Sequence, residues 1–306
     1  MIQSEIHRVK SIAEFHKMKG LPSPMHPLIS VIDYNKVECS NEVHFKNFVF
    51  DFYHISCKRS VGTKYKYGQG SYDFDEGVMF FIAPNQVFGI EPIAEIASPK
   101  SGWMLLVHPD FFWNTSLAKN IKRYEYFDYE VNEALFLSEK EEGILNSIVS
   151  NIEQEYQSNI DKFSQNIIVS QIETLLNYSE RFYQRQFITR KKNNHQVLAN
   201  LENLLNDYFN HDELTRKGLP TVQYIADALS ISPTYLSSLL KSITGLTAQQ
   251  HIHEKLIEKA KEKLSTSNLS VGEIAYELGF EHSQSFSKLF KAKTNQSPLE
   301  FRASFN

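Results

Sequence analysis

Short apolar runs, rich in aromatic and β-branched residues, dominate the first third of the chain. They include VFDFYHI at 49–55, VMFFIA at 78–83 and WMLLVH at 103–108. Polar segments that contain glycine separate the runs, as at 61–77. Runs of this length and composition, with turn residues between them, are typical of β-strands. We therefore predict a small β-barrel or sandwich over residues 28–107.

The apolar period becomes helical from Ser138 onward. The segment SEKE at 138–141 has the spacing of a capping box at a helix N-terminus. The apolar positions that follow it have helical spacing and are Ile144, Leu145, Ile148, Ile152 and Tyr156. A second helix is predicted over about 163–186, with an apolar stripe at Ile168, Ile172, Leu175, Leu176 and Phe182. The stretch 187–196 loses this period and gathers basic residues, so we predict that it links a domain at 1–186 to one at 197–306.

The C-terminal part of the chain contains an internal repeat. A first set of apolar positions, Val222, Ile225, Ala226 and Leu229, returns as Val271, Ile274, Ala275 and Leu278. A second set, Leu236, Ser237, Leu239 and Lys241, returns as Phe286, Ser287, Leu289 and Lys291. The second offset is one residue longer than the first, and the extra residue falls in the turn. Each copy is therefore predicted to be a helix, a turn and a helix, at 222–245 and 271–295.

Helix-start signals support these boundaries. Ser270 with Glu273 forms a predicted capping box before the second copy. The dipeptide Ser232-Pro233 places an N-cap and an N1 proline before the second helix of the first copy. A further helix is predicted after each copy, on the signals Thr247 with Gln250 and Ser297-Pro298 with Glu300.

The second helix of each copy has an unusual outer face. In the first copy this face consists of Thr234, Ser237, Ser238 and Lys241, and in the second of Ser283, Gln284, Ser287, Lys288 and Lys291. Short hydroxyl side chains lower helix propensity, so an ordinary solvated face does not favour them. Serine, threonine and glutamine can hydrogen-bond base edges, and lysine can neutralise a phosphate. Two matching helices favour a pair of DNA recognition helices over helical hairpins whose surfaces are serine-rich by chance.

The charge of this region limits the DNA-binding prediction. Residues 196–306 carry 11 Lys and Arg against 12 Asp and Glu, so the region as a whole is not basic. Its positive charge concentrates in 283–302, where Lys288, Lys291, Lys293 and Arg302 accompany Glu300 as the one acid. We expect modest non-specific affinity for DNA with ordinary salt dependence.

Length and composition exclude several other classes of protein. A chain of 306 residues with 42% apolar residues can fill two globular cores. No stretch approaches the roughly 20 apolar residues that span a bilayer, and the N-terminus lacks the apolar core of a secretory signal. Cys39 and Cys57 make neither a disulfide framework nor a metal motif. No nucleophile elbow, phosphate loop or paired acid and base is present, so we predict a cytoplasmic protein that is not an enzyme and holds no cofactor.

The duplicated unit and the segment IAYELGFEHSQSFSKLFKAKTNQSPLEFR at 274–302 resemble the AraC/XylS family of bacterial transcription regulators. This resemblance covers about 100 residues. It implies an all-α domain of about seven helices, in which a long helix at about 248–265 joins two helix-turn-helix units. In the family these units insert into successive major grooves on one face of DNA, roughly 34 Å apart.

The resemblance also implies roles for individual residues. Base contacts are implied for Thr234, Ser237, Ser238, Ser283, Gln284, Ser287 and Lys288. Backbone contacts are implied for Lys241, Lys291 and Arg302. The chain departs from the family pattern at Ser230 and Asn295, where glycine is usual, and at His251 and Leu256, where tyrosine and arginine are frequent.

The N-terminal part resembles, more weakly, the cupin-type effector domain of the same family. This resemblance rests on the segment GSYDFDEGVMFFIAPNQ at 70–86. Gln86, at its end, occupies the position where effector cupins often have a ligand contact. Enzymatic cupins hold a metal with a cluster of histidines and a glutamate. Here His44, His54 and His108 are isolated in the sequence, so no metal site is predicted.

Together these features predict an α+β protein, with a cupin-like β-barrel and a helical pair followed by the all-α DNA-binding domain. The predicted function is sequence-specific transcription regulation, as an activator, controlled by a small-molecule effector. Double-stranded DNA, RNA polymerase and a second copy of the chain are the expected partners, and a membrane is not. The dimer contact is predicted at Ile172, Leu175, Leu176 and Phe182. Alternatives are a ligand-independent regulator, a cupin enzyme fused to a DNA-binding domain, and a helical protein-interaction module.

Overall fold

A computed structural model describes residues 6–37, 47–60, 65–67, 70–72, 77–89, 100–130, 133–158, 161–210 and 213–304. Its contacts divide the chain into two compact units, Met1–Gln186 and Phe187–Asn306. No helix in the described part of the chain is both long enough and apolar enough to cross a bilayer.

The N-terminal unit contains two larger sheets and a hairpin. The five-stranded sheet has the order β10-β7-β4-β9-β2, and its strands are β2 (Ile29–Asp33), β4 (Tyr53–Ser60), β7 (Val78–Ile82), β9 (Lys100–Val107) and β10 (Leu135–Phe136). The three-stranded sheet has the order β1-β3-β8, with strands β1 (Ile6–Val9), β3 (Asn47–Phe50) and β8 (Val87–Gly89). The hairpin pairs β5 (Tyr65–Tyr67) with β6 (Gly70–Tyr72). The pairing is antiparallel except between β1 and β3.

One core lies between the two larger sheets. Phe48, Phe50 and Phe88 come from the three-stranded sheet, whereas Met104 and Leu106 come from the five-stranded sheet. The helix α1 (Ile12–Met18) closes one end of this core with its apolar side chains. The predicted barrel or sandwich is thus confirmed as two facing sheets.

The apolar run at 49–55 is not one strand, contrary to our prediction. The chain bends at Asp51 and passes from β3 in one sheet to β4 in the other. Asp51 is fixed by its backbone N–H, which donates to the carbonyl of Val9, and by an ion pair of 2.7 Å with Arg8. Phe52 is fully buried after the bend. The apolar pattern of the sequence therefore continues through the bend and does not indicate it.

Helices pack on the outer face of the five-stranded sheet. A 3₁₀-helix at Tyr34–Lys36 follows β2, and the segment after β9 contains 3₁₀-helices at Pro109–Phe112, Ile121–Arg123 and Glu125–Asp128 and the short helix α2 (Leu117–Asn120). The predicted helical pair is present as α3 (Glu139–Gln157) and α4 (Ser164–Thr189). The predicted capping box at the start of α3 is also present.

The stretch predicted as a linker, 187–196, is helical. Helix α4 continues to Thr189, and α5 (Lys191–Asn210) begins two residues later. Phe187 is buried, and the Asn194 side-chain amide donates to the Phe187 carbonyl at the end of α4. The loss of apolar period coincides with the end of one helix and the start of the next, where a buried amide closes the helix end.

The C-terminal unit is all helical where it is described. After α5 it contains α6 (Glu213–Lys217), α7 (Val222–Leu229), α8 (Pro233–Thr244), α9 (Ala248–Thr266), α10 (Val271–Glu277), α11 (Ser283–Thr294) and α12 (Pro298–Ala303). A single apolar core joins them, and its fully buried members include Ile225, Leu236, Leu256, Ile274 and Phe286. The described part holds eight helices where about seven were expected.

Candidate nucleic-acid interface

The first helix-turn-helix unit is α7 followed by α8. Thr221 caps α7 by accepting a hydrogen bond from the Tyr224 backbone N–H (3.1 Å), and Ser232 caps α8 by accepting one from Tyr235 (3.2 Å). Between the helices Ser230 adopts a left-handed conformation, with φ of +56°. Glycine takes this conformation at lower cost, which is the physical reason for a glycine preference at this turn.

The second unit is α10 followed by α11. The capping box of α10 joins the Glu273 backbone N–H to the Ser270 hydroxyl (3.2 Å) and the Ser270 N–H to the Glu273 carboxylate (2.7 Å). Gly279 takes the left-handed position in the turn, with φ of +81°. Helix α11 differs from α8 at its start, because its N-cap residue, His282, makes no side-chain capping bond.

The repeat extends beyond the helices into the turns that end them. The hydroxyl of Thr244 donates to the Leu240 carbonyl (2.8 Å), as the hydroxyl of Thr294 does to the Phe290 carbonyl (2.8 Å). The next residue is left-handed in both copies, with φ of +80° at Gly245 and +62° at Asn295. Asn295 can therefore replace glycine at this position, because asparagine tolerates the left-handed conformation.

His251, a departure from the family pattern, has a local role. Its Nε2 lies 2.9 Å from the Thr244 hydroxyl, which ties the start of α9 to the end of α8. Partial burial lowers the pKa of the His251 imidazole, so the neutral form is favoured. The corresponding position in the second copy is Phe301, whose ring packs 5.5 Å from that of Phe290.

The inner faces of α8 and α11 hold the helices in the unit. Leu236, Leu239 and Leu240 of α8 have no exposed surface, and neither do Phe286 and Phe290 of α11. Burial of a large apolar side chain contributes about 1.5–3 kcal/mol relative to exposure. These contacts fix which side of each helix points outward.

The two outer faces differ in exposure. On α11, Ser283, Gln284, Lys288 and Lys291 are exposed and Ser287 is half-buried. On α8 only Lys241 is exposed, whereas Thr234, Ser237 and Ser238 are half-buried. One cause is a ring contact of 5.3 Å between Tyr235 of α8 and Phe187.

Two exposed residues at the start of α11, His282 and Ser285, were not predicted from the sequence, although their position in the first turn of the helix could have indicated them.

The positive charge on α11 is only partly paired, since Lys293 forms an ion pair of 3.3 Å with Glu254. No carboxylate among the described residues lies within 4.0 Å of Lys288 or Lys291. The lysines of α9 are paired instead, for example Lys255 with Glu258 at 2.8 Å and Lys259 with Glu262 at 2.9 Å. The ammonium group of Lys259 lowers the pKa of the Glu262 carboxyl. The described ion pairs therefore compensate the lysines of α9 and Lys293 but not Lys288 or Lys291.

A helix-turn-helix domain family matches residues 225–304. The curated relatives include the transcriptional activator RhaS of Escherichia coli, which is 41% identical over 78 residues. That match covers 26% of this chain and 28% of RhaS, so the chain spans little more than a quarter of this relative's length. Residues 225–304 form a helix-turn-helix domain of that family. The match covers both predicted copies apart from the first residues of α7.

Solved structures similar to the chain include a domain of a response regulator and the protein ToxT. The C-terminal domain of the response regulator yesN from Fusobacterium nucleatum is 28% identical and covers 33% of this chain and 93% of that one, with a TM-score of 0.30. ToxT from Vibrio cholerae is 14% identical and covers 86% of this chain and 92% of its own, with a TM-score of 0.31. Both superpose poorly on the chain as a whole, and the identification rests on the sequence match.

Arg302 of the helix-turn-helix domain does not extend from the surface as a phosphate contact would require. Its Nε donates to the Leu264 carbonyl at 3.2 Å, and its Nη2 is buried without a hydrogen-bond partner. Leu264 lies in the last turn of α9, where carbonyls lack intrahelical partners and a cation is stabilising. The structure therefore assigns Arg302 to the C-terminal end of α9 and does not support the predicted backbone contact.

Arg302→Ala is expected to lower the free energy of unfolding by about 1 kcal/mol, because a charged helix-end contact is lost. The salt dependence of DNA binding should stay unchanged. Measurement of affinity at several salt concentrations checks this. A fall of about 0.9 in the slope of log affinity against log salt would instead restore Arg302 as a phosphate contact.

Gln86, the candidate effector contact, and the histidines of the N-terminal unit have separate local environments. His54 is buried in the sheet core, where burial lowers the pKa of its imidazole to about 3, while His108 Nδ1 accepts from the Asp110 backbone N–H (3.3 Å). His44 lies outside the described residues. Gln86 accepts a hydrogen bond from the Ala83 backbone N–H (3.0 Å). Among the residues that the structure describes, no cluster of three metal-ligating side chains occurs.

The dimer contact predicted on α4 is wrong in its residues. Ile172, Leu175, Leu176 and Phe182 are between 0% and 4% exposed within the single chain. They pack inside the N-terminal unit, where the Tyr126 hydroxyl also donates to the Leu176 carbonyl (2.9 Å). Side chains without exposed surface cannot contact a second copy. An apolar stripe in the sequence shows that one side of a helix is buried but not which chain buries it.

Proposed function

We propose that the chain is a sequence-specific DNA-binding transcription regulator, in which α8 and α11 enter successive major grooves. The observation that carries this proposal is the duplicated unit, whose second copy keeps an exposed polar stripe on α11. The stripe includes Lys288 and Lys291, which form no ion pair with a described carboxylate. Helix α9, 19 residues long, spans about 28 Å. This length is compatible with a groove spacing of roughly 34 Å.

Selection from a pool of random duplexes tests the proposal directly. We expect the full chain to enrich a site with two short conserved elements about 10 base pairs apart. Enrichment without any sequence preference would favour the alternative of a helical protein-interaction module with an incidental affinity for DNA.

The finer parts of the proposal concern how the regulator acts. We propose activation, since the relative RhaS carries that function in its name, and the resemblance to the family makes RNA polymerase the expected partner. Small-molecule control through the N-terminal unit is proposed on the same resemblance. The proposal assigns the chain no catalytic step.

We also propose self-association, but through the outward face of α4. Phe163, Ile167, Ser170 and Thr174 alternate at four- and three-residue intervals, and all are exposed. The hydroxyls of Ser170 and Thr174 donate to carbonyls of their own helix, at 2.9 Å and 2.8 Å. An uncharged seam with this spacing and no unsatisfied hydroxyl fits against an identical helix. Trp113, which is 72% exposed, adds to this apolar face of α4. It is held beside the helix because the Gln165 side chain of α4 donates to the Trp113 carbonyl (3.3 Å).

Ile167→Asp is expected to raise the dissociation constant of the dimer about 10-fold or more, because each chain would bring a carboxylate into the shared apolar face. Sedimentation equilibrium measures it. Asn151→Asp, an exposed change of equal charge on α3, is the matched control. Equal dissociation constants for both variants would exclude this face as the interface.

A further inference from the structure

The turn of the second helix-turn-helix unit touches the loop that leads into the first unit. Gly279 lies in the turn between α10 and α11, and Gly218 lies in the loop between α6 and α7. A Cβ atom on Gly279 would lie 3.0 Å from the Gly218 Cα atom and 3.1 Å from the Gly218 carbonyl carbon. The two backbones are therefore in direct contact, and this contact requires a residue without a side chain in the turn.

The requirement for glycine in this turn does not come from backbone conformation alone. The corresponding residue of the first copy, Ser230, has a φ of +56° and carries an exposed side chain. Gly279 has a similar φ of +81° but is half-buried. The first turn shows that a left-handed residue with a side chain is tolerated, so the close approach to Gly218 is a separate property of the second turn.

Hydrogen bonds from buried residues hold the loop at Gly218 in place. Its backbone N–H donates to the Leu214 carbonyl (2.9 Å), and its carbonyl accepts from the Tyr208 hydroxyl (3.0 Å). Leu214 and Tyr208 are both buried. Movement of the loop away from Gly279 would break these hydrogen bonds and leave buried polar groups without partners, which is costly.

Tyr208 connects this loop to the first helix-turn-helix unit. Its ring lies 5.3 Å from the ring of Tyr224 in α7, at an angle of 63°. The short helix α6, which precedes the loop, also packs against α10 of the second unit. A path of direct contacts therefore runs from the first helix of the first unit, through Tyr208 and Gly218, to the turn of the second unit.

This path adds a second attachment to the one that α9 provides. Helix α9 and the apolar core around it also join the two units, but apolar side chains can change rotamer when a helix shifts. A contact between two backbones has no side chain that can rotate away. Together the two attachments restrict both the distance and the rotation of α11 relative to α8. On B-DNA one added base pair moves a half-site by about 3.4 Å and rotates it by about 35°.

We propose that the contact between Gly218 and Gly279 determines which half-site spacing the chain accepts, because it holds α11 at one distance and one rotation relative to α8. The proposal rests on the proposed function, in which these two helices enter successive major grooves. Gly218, Gly279 and Tyr208 are positioning residues in this proposal, since they act through the recognition helices and not on DNA.

Duplexes with altered spacing test the proposal. The full chain is titrated with the selected site and with the same site after one base pair is added or removed between its two elements, and fluorescence anisotropy gives the affinities. We expect each altered spacing to weaken binding by the parent chain at least about 10-fold, because one half-site loses its base contacts. Equal affinity for all three duplexes would contradict a fixed spacing. Failure to select any preferred site would instead contradict the proposed function.

Gly279→Ala and Gly245→Ala separate the contact from backbone strain. Both glycines are left-handed, but a Cβ atom on Gly245, with a φ of +80°, would meet no atom within 4 Å. Gly279→Ala pushes the turn away from the loop, so the loss of affinity on altered spacing should fall to about 3-fold or less. Gly245→Ala should keep the loss of the parent chain. An equal change in both variants would assign the effect to strain and refute the role of the contact.

Tyr208→Phe tests the same contact without a clash, in case Gly279→Ala does not fold. It keeps the ring against Tyr224 and removes only the hydrogen bond to the Gly218 carbonyl. The loss of affinity on altered spacing should be about 2- to 5-fold smaller than in the parent chain, because the loop is held less firmly. A spacing preference identical to that of the parent chain would show that the loop does not position α11.

Discussion

Gly279→Ala is expected to lower the free energy of unfolding of the C-terminal unit by about 2–5 kcal/mol. Gly279 has a φ of +81°, and a left-handed conformation costs a residue with a side chain about 1–2 kcal/mol. A Cβ atom there would also lie 2.9 Å from the Leu214 carbonyl oxygen and 3.0 Å from the Gly218 Cα atom. Both contacts are backbone atoms, which cannot rotate away, so overpacking adds about 1–3 kcal/mol.

The first copy supplies the matched control for this prediction. Ser230 holds the corresponding position with a φ of +56°, and the unit tolerates its side chain. Ser230→Gly is expected to change stability in the opposite direction, by up to about 1 kcal/mol, because glycine relieves the left-handed strain. Chemical denaturation followed by circular dichroism measures both variants. A loss for Gly279→Ala no larger than the gain for Ser230→Gly would show that backbone conformation, and not the close approach to Leu214, determines the effect.

Gln284→Ala and Lys288→Ala are each expected to weaken binding to the selected DNA site by about 1–3 kcal/mol. Both side chains are exposed on α11, so their removal should not disturb the core that Phe286 and Phe290 form. Loss of a base contact should also relax the sequence preference at one position of the site. Fluorescence anisotropy with the selected duplex and its single-base variants measures both effects.

Lys259→Ala is the matched control for Lys288→Ala. It removes the same charge from α9, where Lys259 is paired with Glu262 at 2.9 Å. We expect a small and sequence-independent change in affinity for this control. If Gln284→Ala and Lys288→Ala both bind every duplex as the parent chain does, α11 is not a recognition helix.

Local signals were sufficient to predict the C-terminal helices. The N-caps at Ser232, Thr247, Ser270 and Ser297 all accept the expected hydrogen bond, because capping joins residues only three positions apart. The repeat then aligned the two copies and indicated the outer face of each second helix. Interactions that close within one turn of a helix are visible in a sequence.

Interactions between distant segments were not predictable in this way. Arg302 contacts Leu264, 38 residues earlier in the chain, and no local pattern indicates that contact. The stripe around Leu175 and Leu176 faces its own unit, although its periodicity would be identical in a dimer interface. The bend at Asp51 depends on Arg8, which comes from another strand. The errors at Arg302 and on α4 concerned the partner of a residue, whereas the bend at Asp51 and the helical residues of 187–196 are errors of secondary structure.

The unequal exposure of α8 and α11 has a consequence for orientation. Two units with identical recognition helices would bind two identical half-sites. Here α11 presents Lys288 and Lys291, which form no described ion pair, and the exposed amide of Gln284. Helix α8 instead presents half-buried hydroxyls. One protomer on DNA would then have a defined polarity, with one strongly constrained half-site and one permissive half-site. The order of the two half-sites would determine which face of the protein points toward the start of transcription.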